Sequence, residues 1–172
     1  MMRRAELKDT HRIQYYYRYV ALHTENMDIY GRWIYGQHPT DEMIEGYIGD
    51  GSMYVWEADG AIVAAAAVTF SQDESYHSVQ WKVKAKDDEV AVIHILCIHP
   101  QKQGCGLAKK IVNEIMDLAR TKHRKAVRLD ALCCNTPAHK LYEDLGFQKC
   151  GIQNWYADNT GYIDFYLYER AW

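Results

Sequence analysis

Nine residues near the middle of the chain, Val90-Ala91-Val92-Ile93-His94-Ile95-Leu96-Cys97-Ile98, are apolar apart from His94. A run of this kind without polar alternation suits a strand covered on both faces, a central strand of a layered sheet. It leads into Gln101-Lys102-Gln103-Gly104-Cys105-Gly106-Leu107-Ala108. Next, Leu107, Ile111, Ile115 and Leu118 form one stripe, with Lys109, Lys110, Asn113, Glu114 and Asp117 largely outside it. That periodicity predicts an amphipathic helix over 107–122. A buried strand, a glycine-bearing turn and an amphipathic helix demand a sheet with helices laid on it.

The rest of the chain supplies both layers. Residues 3–8 read as a short first strand, and Asp9 or Thr10 caps a helix carrying Ile13, Tyr16, Tyr17 and Val20. Thr40 caps a second helix with Met43, Ile44, Tyr47 and Ile48, stopped at Gly49-Asp50-Gly51. Residues 52–57 and 62–70 read as a hairpin about Asp59-Gly60. The polar stretch 71–89 has Trp81 and Val83 as its strand-like part. A strand over 127–132 precedes a short helix over 137–145, with Thr136 as cap and Pro137 in its first position. Residues 147–156 and 162–168 close the chain as a hairpin. Strands and helices alternate, so the expectation is one layered α/β domain over residues 1–172.

Composition narrows the function. Twenty Lys+Arg against 23 Asp+Glu give −3, which leaves no basic field for nucleic acid. No apolar run approaches the ~20 residues of a membrane span. Met1-Met2-Arg3-Arg4-Ala5-Glu6 has no apolar core of a signal peptide, and the five cysteines form no CxxC pair, which together point to a reducing cytoplasm. The eight histidines show no metal-ligand spacing, so no metal is expected.

Chemistry concentrates after the apolar strand. Glycines at a strand-to-helix turn let backbone approach a ligand, and the unpaired amides at the helix start favour an anion such as phosphate. The same glycines also suit a bare tight turn. A Walker loop is absent, and a GxGxxG loop fails because its sixth position is Lys109.

The pattern Gln-x-x-Gly-x-Gly at 101–106 resembles the pyrophosphate loop of the GNAT superfamily, the acyl-CoA-dependent N-acyltransferases. Asn135-Thr136-Pro137-Ala138-His139-Lys140-Leu141-Tyr142-Glu143-Asp144-Leu145-Gly146-Phe147 resembles that superfamily's N-x-x-A-x-x-L-Y-x-x-x-G-F segment. The likeness is specific over 90–147; over 3–70 it rests on element order. It implies the GNAT fold, a mixed, mostly antiparallel central sheet of six to seven strands flanked by about four helices, α/β or, in some schemes, α+β. It implies an N-acetyltransferase that moves an acetyl group from acetyl-CoA directly to a primary amine in a ternary complex.

Residue by residue, the resemblance implies that amides of Gln103, Gly104, Cys105, Gly106, Leu107 and Ala108 cradle the pyrophosphate, with Gln101 or Lys102 near it. Leu96, Cys97 and Ile98 would pair with the pantetheine like an added strand, one of their amides polarising the thioester carbonyl. Asn135 would bond the pantetheine arm. Tyr142 would protonate the departing thiolate as general acid; the plain alternative is a core residue beside Ala138, Leu141 and Leu145.

His94 has two readings as well. It is a satisfied core histidine, or the base for an alkylammonium acceptor, whose free amine costs about 4.6 kcal/mol at pH 7. Without a bulge it would share a face with Leu96 and Ile98. Its surroundings resemble the His-bearing fourth strand of the arylalkylamine N-acetyltransferase branch. Glu89 is the fallback base.

The acceptor, a small amine or a peptide, is expected between the loop at 33–39, the segment near Trp81 and the hairpin tip at 153–161. Trp33, Trp155 and Tyr156 would supply aromatic walls, and Asp158 or Glu42 an attraction for a cation. A non-catalytic acyl-CoA sensor or assembly module on the same fold is the second reading, and the aromatic strand over 162–168 suits a homodimer in either case.

Overall fold

A computed structural model describes all 172 residues. Seven strands, β1 (Met2–Arg4), β2 (Met53–Ala58), β3 (Ala61–Thr69), β4 (Val90–Ile98), β5 (Ala126–Leu132), β6 (Gln148–Ala157) and β7 (Gly161–Ala171), form one sheet in the order β1-β2-β3-β4-β5-β7-β6. Every neighbouring pair is antiparallel except β4 with β5. Four helices cover it: α1 (Thr10–His23), α2 (Asp41–Gly49), α3 (Leu107–Thr121) and α4 (Thr136–Asp144). None is long and apolar enough to cross a membrane.

Each face of the sheet has its own core. Ile111, Val112, Ile115 and Met116 of α3 pack on Ala64, Ala66, Ile93, Val127 and Leu129, with Tyr142 of α4 in the same cluster. Ile13, Tyr16, Tyr17 and Val20 of α1 and Ile44 and Ile48 of α2 pack on Met53, Val55 and Ala65. Four consecutive alanines, Ala64–Ala67, are fully buried on β3. Their small side chains let helices sit close on both sides of the strand.

Local chemistry sets the ends of these elements. Asp59 and Gly60 both take positive φ, 51° and 76°, as a tight hairpin turn requires. Thr40 caps α2, its hydroxyl accepting from the Met43 amide at 3.1 Å.

Three expectations about ends fail. Asp9 precedes α1 without a side-chain cap, because its carboxylate is taken by the Arg3 guanidinium (2.7 and 2.9 Å) and the Glu6 amide. Asn135, not Thr136, caps α4, accepting from the Ala138 amide at 3.3 Å. The first strand stops at Arg4, since Leu7–Asp9 forms a 3₁₀ turn.

The stretch 71–89 contains no strand around Trp81. Polar pins hold it instead. Arg128 and Glu169, both fully buried, pair at 2.8 Å. The Arg128 guanidinium donates to the Val83 carbonyl at 2.8 Å and to Gln72, while Glu169 accepts from the amides of Lys82 and Val83. Trp81 stacks on that guanidinium with 4.3 Å to its ring centroid. Backbone donors and acceptors spent on a buried ion pair are not available to a ladder.

β4 and β5 pair only at Val90↔Ala126, Ala91↔Val127 and Val92↔Arg128. Beyond that point the two strands part. The opening lies at the C-terminal ends of the parallel strands, where the loops into α3 and α4 begin.

Candidate active site

β4 changes course at its sixth and seventh residues. Its register against β3 runs Ala67↔His94 and then Ala65↔Cys97, so two residues, Ile95 and Leu96, face the single Ala66. Ile95 adopts φ 43°, a left-handed value costly for a β-branched side chain, on the order of 1–3 kcal/mol. This is a β-bulge, and it overturns the expected facing of His94. His94 shares its face with Cys97, whereas Ile98 packs in the α3 core.

Two tyrosines of α1 reach backbone carbonyls at the bulge and just beyond it. Tyr17 donates its hydroxyl to the Ile95 carbonyl at 3.0 Å, and Tyr16 donates to the Cys97 carbonyl at 3.4 Å. The sequence marks both only as apolar helix positions. The His99 amide bonds the Val63 carbonyl, so the alternation of the ladder turns the Ile98 amide away from β3 into the β4–β5 gap.

A groove of about 740 Å³ runs along that gap. Leu96, Cys97 and Ile98 form one wall, Asn135, Ala138 and Tyr142 another, and Gln103, Gly104, Gly106, Leu107 and Ala108 its mouth. Gly104 and Gly106 take φ of 75° and 81°, and a Cβ built on either would meet nothing within 4 Å. The amides of Gly104 to Ala108 enter no backbone hydrogen bond. Together they form an open cradle of unpaired donors at a helix start, and Lys102, Lys109 and Lys140 also line the groove. Lys109 and Lys140 are shared with Asp144 at 2.8 and 3.5 Å.

Not every residue expected around the loop reaches the groove. Gln101 and Cys105 are exposed and stand outside its lining. The Gln103 side chain turns back, its amide donating to the Ile98 carbonyl at 3.2 Å and bracing the loop on β4. Cys97 offers its backbone; its thiol is buried toward α1 and burial pushes its pKa up.

A second, smaller cavity of about 210 Å³ meets the groove end to end. The two share Gly31, Trp33, Leu96, Asn135, Ala138 and Tyr142. Tyr142 is 7% exposed, with its ring edge-on to Phe147 at 5.5 Å. Burial raises its phenol above the ordinary range, so it keeps its proton at neutral pH.

His94 lines the smaller cavity, its ring stacked on Tyr47 at 5.7 Å. Its Nε2 lies 3.2 Å from the Thr69 hydroxyl, and that hydroxyl donates its one proton to the Ser71 carbonyl at 2.9 Å. The ring must therefore donate from Nε2, which leaves Nδ1 with its lone pair free. Burial lowers the His94 pKa, opposed in part by Asp130 and Asp73. Glu89 is removed from this chemistry. It sits at the other end of β4, bonded to Lys125 at 2.7 Å and to the Lys86 amide.

The acceptor-side walls differ from those expected. Trp33 lines the cavity, but Trp155 packs on Tyr76 and Phe165, and Tyr156 is exposed against Tyr162. Tyr47, Phe165 and His38 take their place. Asp158 and Glu42 are not part of the lining. The acid in it is Asp130 on β5, which accepts a hydrogen bond from Tyr76 at 2.6 Å. Its signal in the sequence was a carboxylate inside an otherwise strand-like Val-Arg-Leu-Asp-Ala-Leu.

Known proteins agree with this architecture. A family model described as the acetyltransferase (GNAT) family matches residues 17–147. The N-alpha-acetyltransferase RimI of Mycobacterium tuberculosis is 31% identical over 78 residues, 45% of this chain and 47% of that protein. The chain spans from about a quarter to about half the length of the curated relatives it matches. A GNAT-family acetyltransferase structure from Streptococcus agalactiae superposes with TM-score 0.76 at 20% identity, covering 100% of this chain and 95% of that one. The acetyltransferase YncA of Salmonella typhimurium, solved with its cofactor acetyl-CoA, superposes with TM-score 0.68 at 18% identity over 99% and 92% of the two chains.

Proposed function

The chain belongs to the GNAT acetyltransferase family, and from that premise we propose that it moves the acetyl group of acetyl-CoA directly to a primary amine while both are bound. The observation that carries this reading is the meeting of two cavities at Tyr142 and Leu96. A donor in the groove and an acceptor in the smaller cavity approach one another there without a covalent relay through the protein. Cys97, the cysteine of the strand, is turned toward α1 with its thiol pKa raised, which suits no nucleophilic role.

When bound, acetyl-CoA supplies an activated acetyl thioester. The unpaired amides from Gly104 to Ala108, with Lys102, would hold its diphosphate. Asn135 is less free than its motif implied, since its side-chain oxygen already caps α4; its amide nitrogen is the group left for a pantetheine arm. The Ile98 amide faces the groove and is the donor available to a pantetheine paired like an added strand. Tyr142 holds a proton at its hydroxyl, beside the junction, for a departing thiolate. His94 accepts a proton at Nδ1 from the acceptor ammonium, directly or through water.

The test is release of free thiol from acetyl-CoA across a panel of amines. Amine-dependent release is expected. Tight acetyl-CoA binding with no release by any amine would replace this reading with a non-catalytic acyl-CoA-binding module.

A further inference from the structure

The smaller cavity has an unbalanced electrostatic make-up. Asp130 is the one carboxyl side chain lining it, and neither Lys nor Arg lines it. Its two histidines, His38 and His94, are both held below the ordinary histidine range by burial, so they bring little positive charge at neutral pH. Most of the remaining lining residues are apolar, among them Trp33, Met43 and Phe165, with Asn135 and Asn159 as neutral amides. The adjoining groove, by contrast, has three lysines along it beside Glu25 and Asp144.

The position of Asp130 follows from strand register. Val92 on β4 pairs with Arg128 on β5, and this is the last rung of the parallel ladder. Two residues further along each strand, on the same face, come His94 and Asp130. They flank the point where the strands part. Tyr76, fully buried, donates to Asp130 from the 71–89 segment and fixes the carboxylate from behind.

We infer that the acceptor is a compact amine with an apolar body and no carboxylate of its own, received as its ammonium by Asp130. The inference rests on the acetyl-transfer reading above and names the substrate class of the same site. The cavity volume corresponds to about seven waters at roughly 30 Å³ each, which suits a small amine and not a folded protein tail. An α-amino acid of the same shape would bring a carboxylate toward Asp130 with no cation to receive it. Such a like-charge approach with no cation to offset it disfavours binding. Asp130 acts here as a specificity residue and takes no part in proton transfer.

Matched pairs test this. Benzylamine and phenylglycine, or butylamine and norvaline, differ only by the carboxylate on the amine-bearing carbon. With the intact protein saturated with CoA, calorimetry should show benzylamine binding at least about 10-fold tighter than either phenylglycine or the uncharged benzyl alcohol. Thiol-release assays should show the same preference in kcat/KM. Asp130→Asn still accepts the Tyr76 bond, and it should raise the KM for benzylamine about 10-fold or more while acetyl-CoA affinity stays unchanged.

Equal or better use of the amino acids overturns the inference, as does benzyl alcohol binding as well as benzylamine. So does an Asp130→Asn variant with an unaltered KM. Because the matched pairs use the wild-type protein, a variant that fails to fold leaves the decision to them. Amine binding with the expected preference but no thiol release sinks the transferase reading and upholds the assigned cavity.

Discussion

At the scale of single residues the site rests on two groups whose protons are held in opposite ways. Tyr142 keeps its proton because burial disfavours the phenolate. Replacing it by Phe preserves the packing on Phe147 and removes only the donor. Turnover should fall roughly 100-fold or more, with the acetyl-CoA dissociation constant little changed in calorimetry. If turnover survives and only the melting temperature moves, Tyr142 is a core residue.

For His94, desolvation is the leading cause and it lowers the pKa. The neutral base therefore persists to a lower pH than for an ordinary histidine near 6.5. The acid limb of kcat/KM should lie below that value in wild type. In His94→Gln it should give way to a shallow dependence that follows free amine in solution. A pH–rate profile of both forms with one good acceptor checks this. An acid limb unaltered in the variant removes His94 from proton transfer and leaves a water chain, since Glu89 is committed to Lys125.

At the scale of elements two irregularities build the site, a bulge and a loop. The bulge at Ile95–Leu96 is strained, and Tyr17 of α1 supports it by bonding the Ile95 carbonyl. Tyr17→Phe keeps the ring and strands the Ile95 carbonyl in a buried setting. The expected cost is about 1–3 kcal/mol, read as a shift of the urea midpoint at unchanged slope, together with a fall in kcat. Intact stability and activity would show that the bulge does not depend on the tyrosine. The loop at Gly104–Ala108 presents open amides in front of α3. Gly104→Glu forces a side chain at φ 75° and sets a negative charge where a diphosphate would lie. Acetyl-CoA affinity should drop at least about 10-fold while the far-UV spectrum is retained; undiminished affinity refutes the cradle.

At the scale of the whole molecule, two cores fix the sheet, and the segment 71–89 packs beside Val92 and Leu167 and is held by buried polar pins. The Arg128–Glu169 pair ties that segment to β5 and β7. Arg128→Leu would leave Glu169 buried without its partner. Stability should fall by about 3–5 kcal/mol in urea unfolding, and the acceptor side should loosen, since Tyr76 on the same segment holds Asp130. A loss under 1 kcal/mol would mean that the segment is held by its apolar contacts with Leu167 and Trp155 alone.

The layered fold and the glycine loop before α3 are legible in the sequence, because both are local in origin. An unbroken apolar strand, two glycines and a 3.6-residue stripe are written in neighbouring residues. The motif from Asn135 to Phe147 likewise carried Tyr142 to its place. Long-range packing decided which way His94 faces, because no glycine or other mark in His-Ile-Leu-Cys announces a bulge braced by a tyrosine of a distant helix. It alone brought Asp130 beside His94, through a parallel pairing of strands some thirty residues apart. It also withdrew Trp81, Trp155 and Asp158 from the acceptor walls, for a side chain's surroundings depend on long-range packing that local pattern does not encode.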